Sequence, residues 1–69
     1  MPDTMISFDD VEVLDRDSLG FRCRVGRKIV YVGSLQPQPG TTIRLRGDRG
    51  RLVLRRQDAW DLGLVDRPP

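Results

Sequence analysis

Residues 20–32, Gly-Phe-Arg-Cys-Arg-Val-Gly-Arg-Lys-Ile-Val-Tyr-Val, decide the fold class. Leu19, Phe21, Cys23 and Val25 fall on one face and Gly20, Arg22 and Arg24 on the other, the period of two that a half-buried strand requires. Gly26–Arg27 supplies a turn, and Ile29–Val32 is a β-branched and aromatic run of high strand propensity. Two registers fit this hairpin. A two-residue loop pairs Cys23 with Val30 and Phe21 with Val32 inside, leaving Arg22 beside Tyr31 outside. A three-residue loop that includes Lys28 turns Ile29 and Tyr31 inward, because a one-residue slip exchanges every face.

Upstream, Ile6 and Phe8 alternate in one phase and Val11 and Val13 in the other, so Asp9–Asp10 must absorb one residue as a bulge or break. Downstream, Gln36-Pro37-Gln38-Pro39-Gly40 prevents regular pairing, since each proline lacks a donor and restricts the residue before it. Thr42–Arg46 and Arg51–Arg55 flank Gly47-Asp48-Arg49-Gly50, which reads as a second hairpin. That hairpin places Leu45 opposite Leu52 and Ile43 opposite Leu54 inside, with Arg46 opposite Arg51 and Thr42 opposite Arg55 outside. Asp58 as a cap and Gly63 as a left-handed stop frame one or two helical turns, from which Trp60, Leu62 and Leu64 fold over an open end of the sheet. Five short strands can bury an apolar face only by curling. The expected fold is mostly β, a small five-stranded SH3-like or OB-like barrel with a short C-terminal helical turn. Its expected extent is residues 5–65, with a flexible start at 1–4 and a disordered tail at 66–69.

The chain has 69 residues and a formal net charge of +2, which conceals strong segregation. Residues 1–20 sum to −5, residues 21–56 to +9 and residues 57–69 to −2. Lys28 is the one lysine among twelve cations, a bias that fits either a GC-rich, bacterial genome or selection for the forked guanidinium grip on phosphate or carboxylate. There is no histidine and one cysteine. A structural zinc site, a histidine-based catalytic pair and a disulfide framework therefore lack their residues, and no cofactor or metal is expected. No export signal or membrane span is expected, and an unpaired cysteine points to a reducing cytoplasm. Cys23 alternates with Phe21 and Val25, the pattern of a buried, inert thiol. Asp9, Asp10 and Glu12 read as solvated carboxylates at a strand bend, and catalysis is not expected.

The outward positions of the two hairpins carry Arg22, Arg24, Tyr31, Arg44, Arg46, Arg51 and Arg55. On rigid strands such residues form a positive face suited to the phosphates of RNA or single-stranded DNA, with Tyr31 able to stack a base in the first register. The plainer reading is a solvated arginine face, partly neutralised by the acidic first strand. The expected function is accordingly a non-enzymatic nucleic-acid-binding module. The alternative is a protein-interaction or accessory module, including a homo-oligomer formed through an exposed edge strand.

Phe21–Val25, Ile29–Val32 and Gly50–Arg55 are similar in order to strands of small OB proteins such as bacterial translation initiation factor one. Gln36-Pro37-Gln38-Pro39 stands here where that family carries a basic loop. Gly50–Leu54 with Leu62-Gly63-Leu64 looks like the strand-to-helix segment of AbrB-type swapped-hairpin DNA-binding dimers, with Arg55 in place of the usual proline. Any strand–helix–glycine sequence produces both patterns, and neither assigns a family.

Overall fold

The computed structural model describes residues 4–65. The expected flexible start and disordered tail fall mainly on residues 1–3 and 66–69, which lie outside the described residues. Four strands, β1 (Met5–Arg16), β2 (Gly20–Val25), β3 (Lys28–Gly33) and β4 (Arg49–Arg55), precede one short helix, α1 (Arg56–Asp61). All neighbouring strands are antiparallel, in the order β3-β2-β1-β4. The protein is thus mostly β, but its sheet is open and four-stranded where a closed five-stranded barrel was expected. Among the described residues no helix is long and apolar enough to cross a membrane.

The missing strand is Thr42–Arg46, and side-chain chemistry explains its loss. The Asp48 carboxylate accepts the backbone N–H groups of Arg44 and Leu45, each at 2.8 Å, and so withdraws them from any ladder. The turn then docks on β1: Val13 donates to the Asp48 carbonyl and Gly47 to the Val13 carbonyl, both at 2.9 Å. β4 consequently pairs with β1, Ile6 facing Leu54 and Phe8 facing Leu52. The expected facing of Arg46 with Arg51 does not arise.

Residues 38–42 cover the outer edge of β4 without forming a strand. Gln38 and Thr42 donate backbone N–H groups to the carbonyls of Val53 and Arg51. In return the Thr41 hydroxyl accepts from Val53 N–H at 3.0 Å, and the Thr42 hydroxyl accepts from Arg51 N–H at 2.9 Å. Threonine hydroxyls thus stand in for strand carbonyls in a segment that Pro37 and Pro39 bar from regular pairing.

β1 bends where the phase change requires. Its pairing with β4 shifts between Phe8 and Val11, and Asp10 takes φ 57°, a left-handed value that aspartate tolerates better than most residues. A second shift, between Val13 and Asp15, was not legible from the sequence. It gives Leu14 no partner on β2 and sets Asp15 opposite Arg22.

Val11, Val13, Phe21, Cys23, Val32, Ile43, Leu52 and Leu54 form one apolar core, and no described polar or charged residue is buried. Two leucines expected inside are outside. Leu19 lies in the bend before β2 and is 74% exposed, while Leu45 is 63% exposed because its strand does not exist.

α1 closes with a full Schellman arrangement: Leu64 N–H donates to the Ala59 carbonyl and Gly63 N–H to the Trp60 carbonyl, with Gly63 at φ 75°. This returns Leu62 and Leu64 to the core. Two details differ from expectation. The N-cap is Arg55, with no side-chain cap, and Asp58 sits inside the first turn, where its charge favours the helix N-terminus. Trp60 is only half-buried and lies outside the core, beneath the Arg56 guanidinium at 5.0 Å from the ring centre.

Candidate nucleic-acid interface

The hairpin of β2 and β3 takes the two-residue register. Gly26 adopts φ 60°, as the first position of a type II′ turn demands, and Val25 faces Lys28, Cys23 faces Val30 and Phe21 faces Val32. Arg22 therefore faces Tyr31 and Arg24 faces Ile29 on the outer surface. Tyr31 is 46% exposed.

Sheet order then settles the electrostatics of that surface. β1, which carries the acidic block, lies between the arginine-bearing β2 and β4. Arg22 pairs with Asp15 at 2.5 Å, Arg24 with Glu12 at 3.4 Å and Arg51 with Asp9 at 3.6 Å. All six side chains are substantially exposed, so each pair contributes only about 0–1 kcal/mol to stability. Their effect on surface potential is larger, because three cations expected to attract phosphate each face a carboxylate.

Tyr31 is similarly occupied. Its hydroxyl donates to Asp17 Oδ1 at 2.7 Å, and the same oxygen accepts the N–H groups of Leu19 and Gly20. The Tyr31 hydrogen bond, followed by that from Leu19, holds the Asp17 carboxyl below its ordinary range. The reciprocal bond raises the Tyr31 phenol. A base stacked on this ring would lie close to a carboxylate.

The seven residues expected to form one face are therefore divided. Arg22, Arg24, Tyr31 and Arg51 lie on the outer sheet surface, each engaged with an acid of β1 or of the turn that follows it. Arg55 ends β4, facing Met5 at the junction with α1. Arg44 and Arg46 belong to the irregular turn before β4, and Arg49, read from the sequence only as a loop residue, opens β4 next to that turn, opposite Glu12 of β1.

That turn has a different charge balance. Its one carboxylate, Asp48, is directed onto the backbone of Leu45 and Arg44, and those two hydrogen bonds hold it below the ordinary carboxylate range. Among the described residues, Arg44, Arg46 and Arg49 form no ion pair. Arg16 comes close as well, donating Nη1–H to the Arg44 carbonyl at 2.6 Å. A groove of about 480 Å³ opens beside the turn, with Arg16 and Arg44 on its rim and Phe21, Ile43 and Leu45 contributing apolar walls.

Asp17 and Asp48 make a prediction about acid stability. Both carboxyls are depressed in the folded state, so their contribution is complete above the unfolded value of about 3.9 and is lost as pH falls through the folded values. Urea midpoints are expected to hold level from pH 7 to about 5 and to decline below about 4. The double variant D17N/D48N, uncharged at both positions at every pH, is expected to show a shallower decline. An unchanged acid slope in that variant would remove these two groups as its source.

Other reactive chemistry is sparse. Cys23 is buried, and burial pushes its thiol up to about 11, which keeps it protonated at neutral pH. Among the described residues no group of three potential metal ligands comes together. Set against protein-family models, curated proteins and solved structures, the chain finds no match in any of the three.

Proposed function

We propose that this protein is a small, non-enzymatic β-sheet module that binds the phosphate backbone of RNA or single-stranded DNA through Arg44, Arg46 and Arg49. One observation carries this reading. Arg22, Arg24 and Arg51 are ion-paired with carboxylates of β1, whereas the Asp48 carboxylate beside Arg44, Arg46 and Arg49 is held by backbone N–H groups, and among the described residues these three arginines form no ion pair, Arg49 included although it faces Glu12. Guanidinium groups on a short, hydrogen-bonded turn suit phosphate oxygens, and the adjoining apolar groove offers a surface for a base. Recognition of this kind follows the backbone and reads little sequence.

The test is fluorescence anisotropy of labelled single-stranded RNA, single-stranded DNA and duplex DNA across a salt series. Three phosphate contacts on a single strand imply a log–log slope of about −2. The triple variant R44A/R46A/R49A, checked for folding by circular dichroism, is expected to bind at least about tenfold more weakly at low salt, with the slope collapsing toward zero. R22A/R24A is expected to keep the slope. Unchanged binding by the triple variant would locate the interface elsewhere, and no binding by the parent protein at low salt would end this reading.

A further inference from the structure

An open four-stranded sheet has two edges, and among the described residues a covering segment lies along the β4 edge. Residues 38–42 satisfy the outward groups of Arg51 and Val53 on β4. On β3, closure of the hairpin at Val25 and Lys28 directs the backbone groups of Lys28, Val30 and Val32 toward β2 and those of Ile29, Tyr31 and Gly33 away from it. Gly33 is capped: its N–H donates to Gln36 Oε1 and its carbonyl accepts from Gln36 N–H. Among the described residues, the N–H and C=O groups of Ile29 and Tyr31 form the remaining edge. β3 has no proline and no bulge, two devices that commonly blunt edge strands, and the Ile29 side chain is 56% exposed.

We propose that two copies of this chain pair antiparallel along β3, with Val30 on the two-fold axis, to make one continuous eight-stranded sheet. The occupant is a second copy because the edge is complementary to itself. With Val30 on the axis, Ile29 of each copy faces Tyr31 of the other, and four hydrogen bonds use every uncovered group. Moving the axis to Tyr31 sets Ile29 against Gly33, whose groups Gln36 already holds. Moving it to Ile29 sets Tyr31 against Arg27 in the turn. The side chains agree with the central register. Ile29 packs against Tyr31 twice on the outer face, a favourable β-branched and aromatic pair. On the inner face Val30 meets its symmetry mate and Lys28 lies opposite Val32, so no like charges are directly opposed. Interfaces of this small size support weak association, with Kd in the micromolar range or above.

The test is sedimentation equilibrium of the full chain from micromolar to millimolar concentration, with residue-resolved amide hydrogen exchange at both extremes. A monomer–dimer equilibrium is expected, and the Ile29 and Tyr31 amides should slow selectively at high concentration. Ile29→Pro removes an outward N–H without removing a β2–β3 ladder bond, and should weaken the dimer about tenfold or more. Ile29→Lys keeps the backbone, places a cation on the seam and should act in the same direction even if the proline variant misfolds. A strict monomer at millimolar concentration with fast exchange at both amides overturns the proposal. So does a dimer whose Kd is unchanged in a folded Ile29 variant. Neither substitution touches Arg44, Arg46 or Arg49, so the outcome is independent of nucleic-acid binding.

Discussion

Alanine at position 20 is expected to destabilise the domain by about 3 kcal/mol or more, far more than alanine at its partner position 33. A Cβ at Gly20 would lie 2.2 Å from the Val32 carbonyl oxygen and 2.9 Å from the Gly33 Cα, both backbone atoms of β3. Backbone cannot swing aside as a side chain can, so relief requires separating the strands where Gly20 faces Gly33 and Phe21 faces Val32. The cost of such a clash is about 3 kcal/mol or more, against a total stability of about 3–10 kcal/mol for a domain of this size. The control is the other half of the same pair. A Cβ at Gly33 would meet only the Gln36 side chain, at an ordinary 3.6 Å, so Gly33→Ala should stay within about 0.5 kcal/mol of the parent. Urea denaturation followed by circular dichroism compares the two. Equal, small effects would mean that β2 and β3 do not approach as closely as described.

Leu54→Ala is expected to remove about 2–5 kcal/mol, the usual cost of deleting a fully buried leucine and leaving a cavity. Leu54 and Leu52 are the largest fully buried side chains, both with no exposed surface. Leu45→Ala discriminates between two arrangements of β4. In the hairpin that the sequence suggests, Leu45 lies inside against Leu52 and its truncation costs as much as that of Leu54. In the open sheet Leu45 is 63% exposed, and truncation should change stability by no more than about 0.5 kcal/mol. A large loss at Leu45 in the same urea titration would favour the hairpin and count against the irregular turn over residues 43–48.

Much of the local structure was legible because short-range sterics and alternation specify it. Ile6, Phe8, Val11 and Val13 reveal the β1 bulge, since two apolar phases can share one buried face only if a residue is absorbed between them. Gly63 marks the end of α1 because its left-handed φ disfavours other residues. The hairpin of β2 and β3 is equally evident, but its two registers are nearly equivalent locally. Burial of Phe21, Cys23 and Val32 against β1, β4 and Ile43 selects between them, and that selection exposes Tyr31.

The alternation in Thr42-Ile43-Arg44-Leu45-Arg46 is a genuine strand pattern that forms no strand. Asp48, Thr41 and Thr42 offer side-chain oxygens to backbone N–H groups, and these bonds replace a regular ladder. Residues 38–42 lie along the β4 edge away from β1, while residues 44–48 turn back onto β1 through the Val13–Asp48 and Gly47–Val13 bonds, a long-range docking that local alternation does not encode. The same choice remakes the charged surface. The sequence by itself determined that the chain is mostly β, that its acids and arginines fall in separate blocks, and where β1 bends and α1 stops. The tertiary structure alone decided that the acidic strand lies between two basic ones, so that adjacency across the sheet neutralises Arg22, Arg24 and Arg51 while, among the described residues, Arg44 and Arg46 in the turn and Arg49 at the start of β4 form no ion pair.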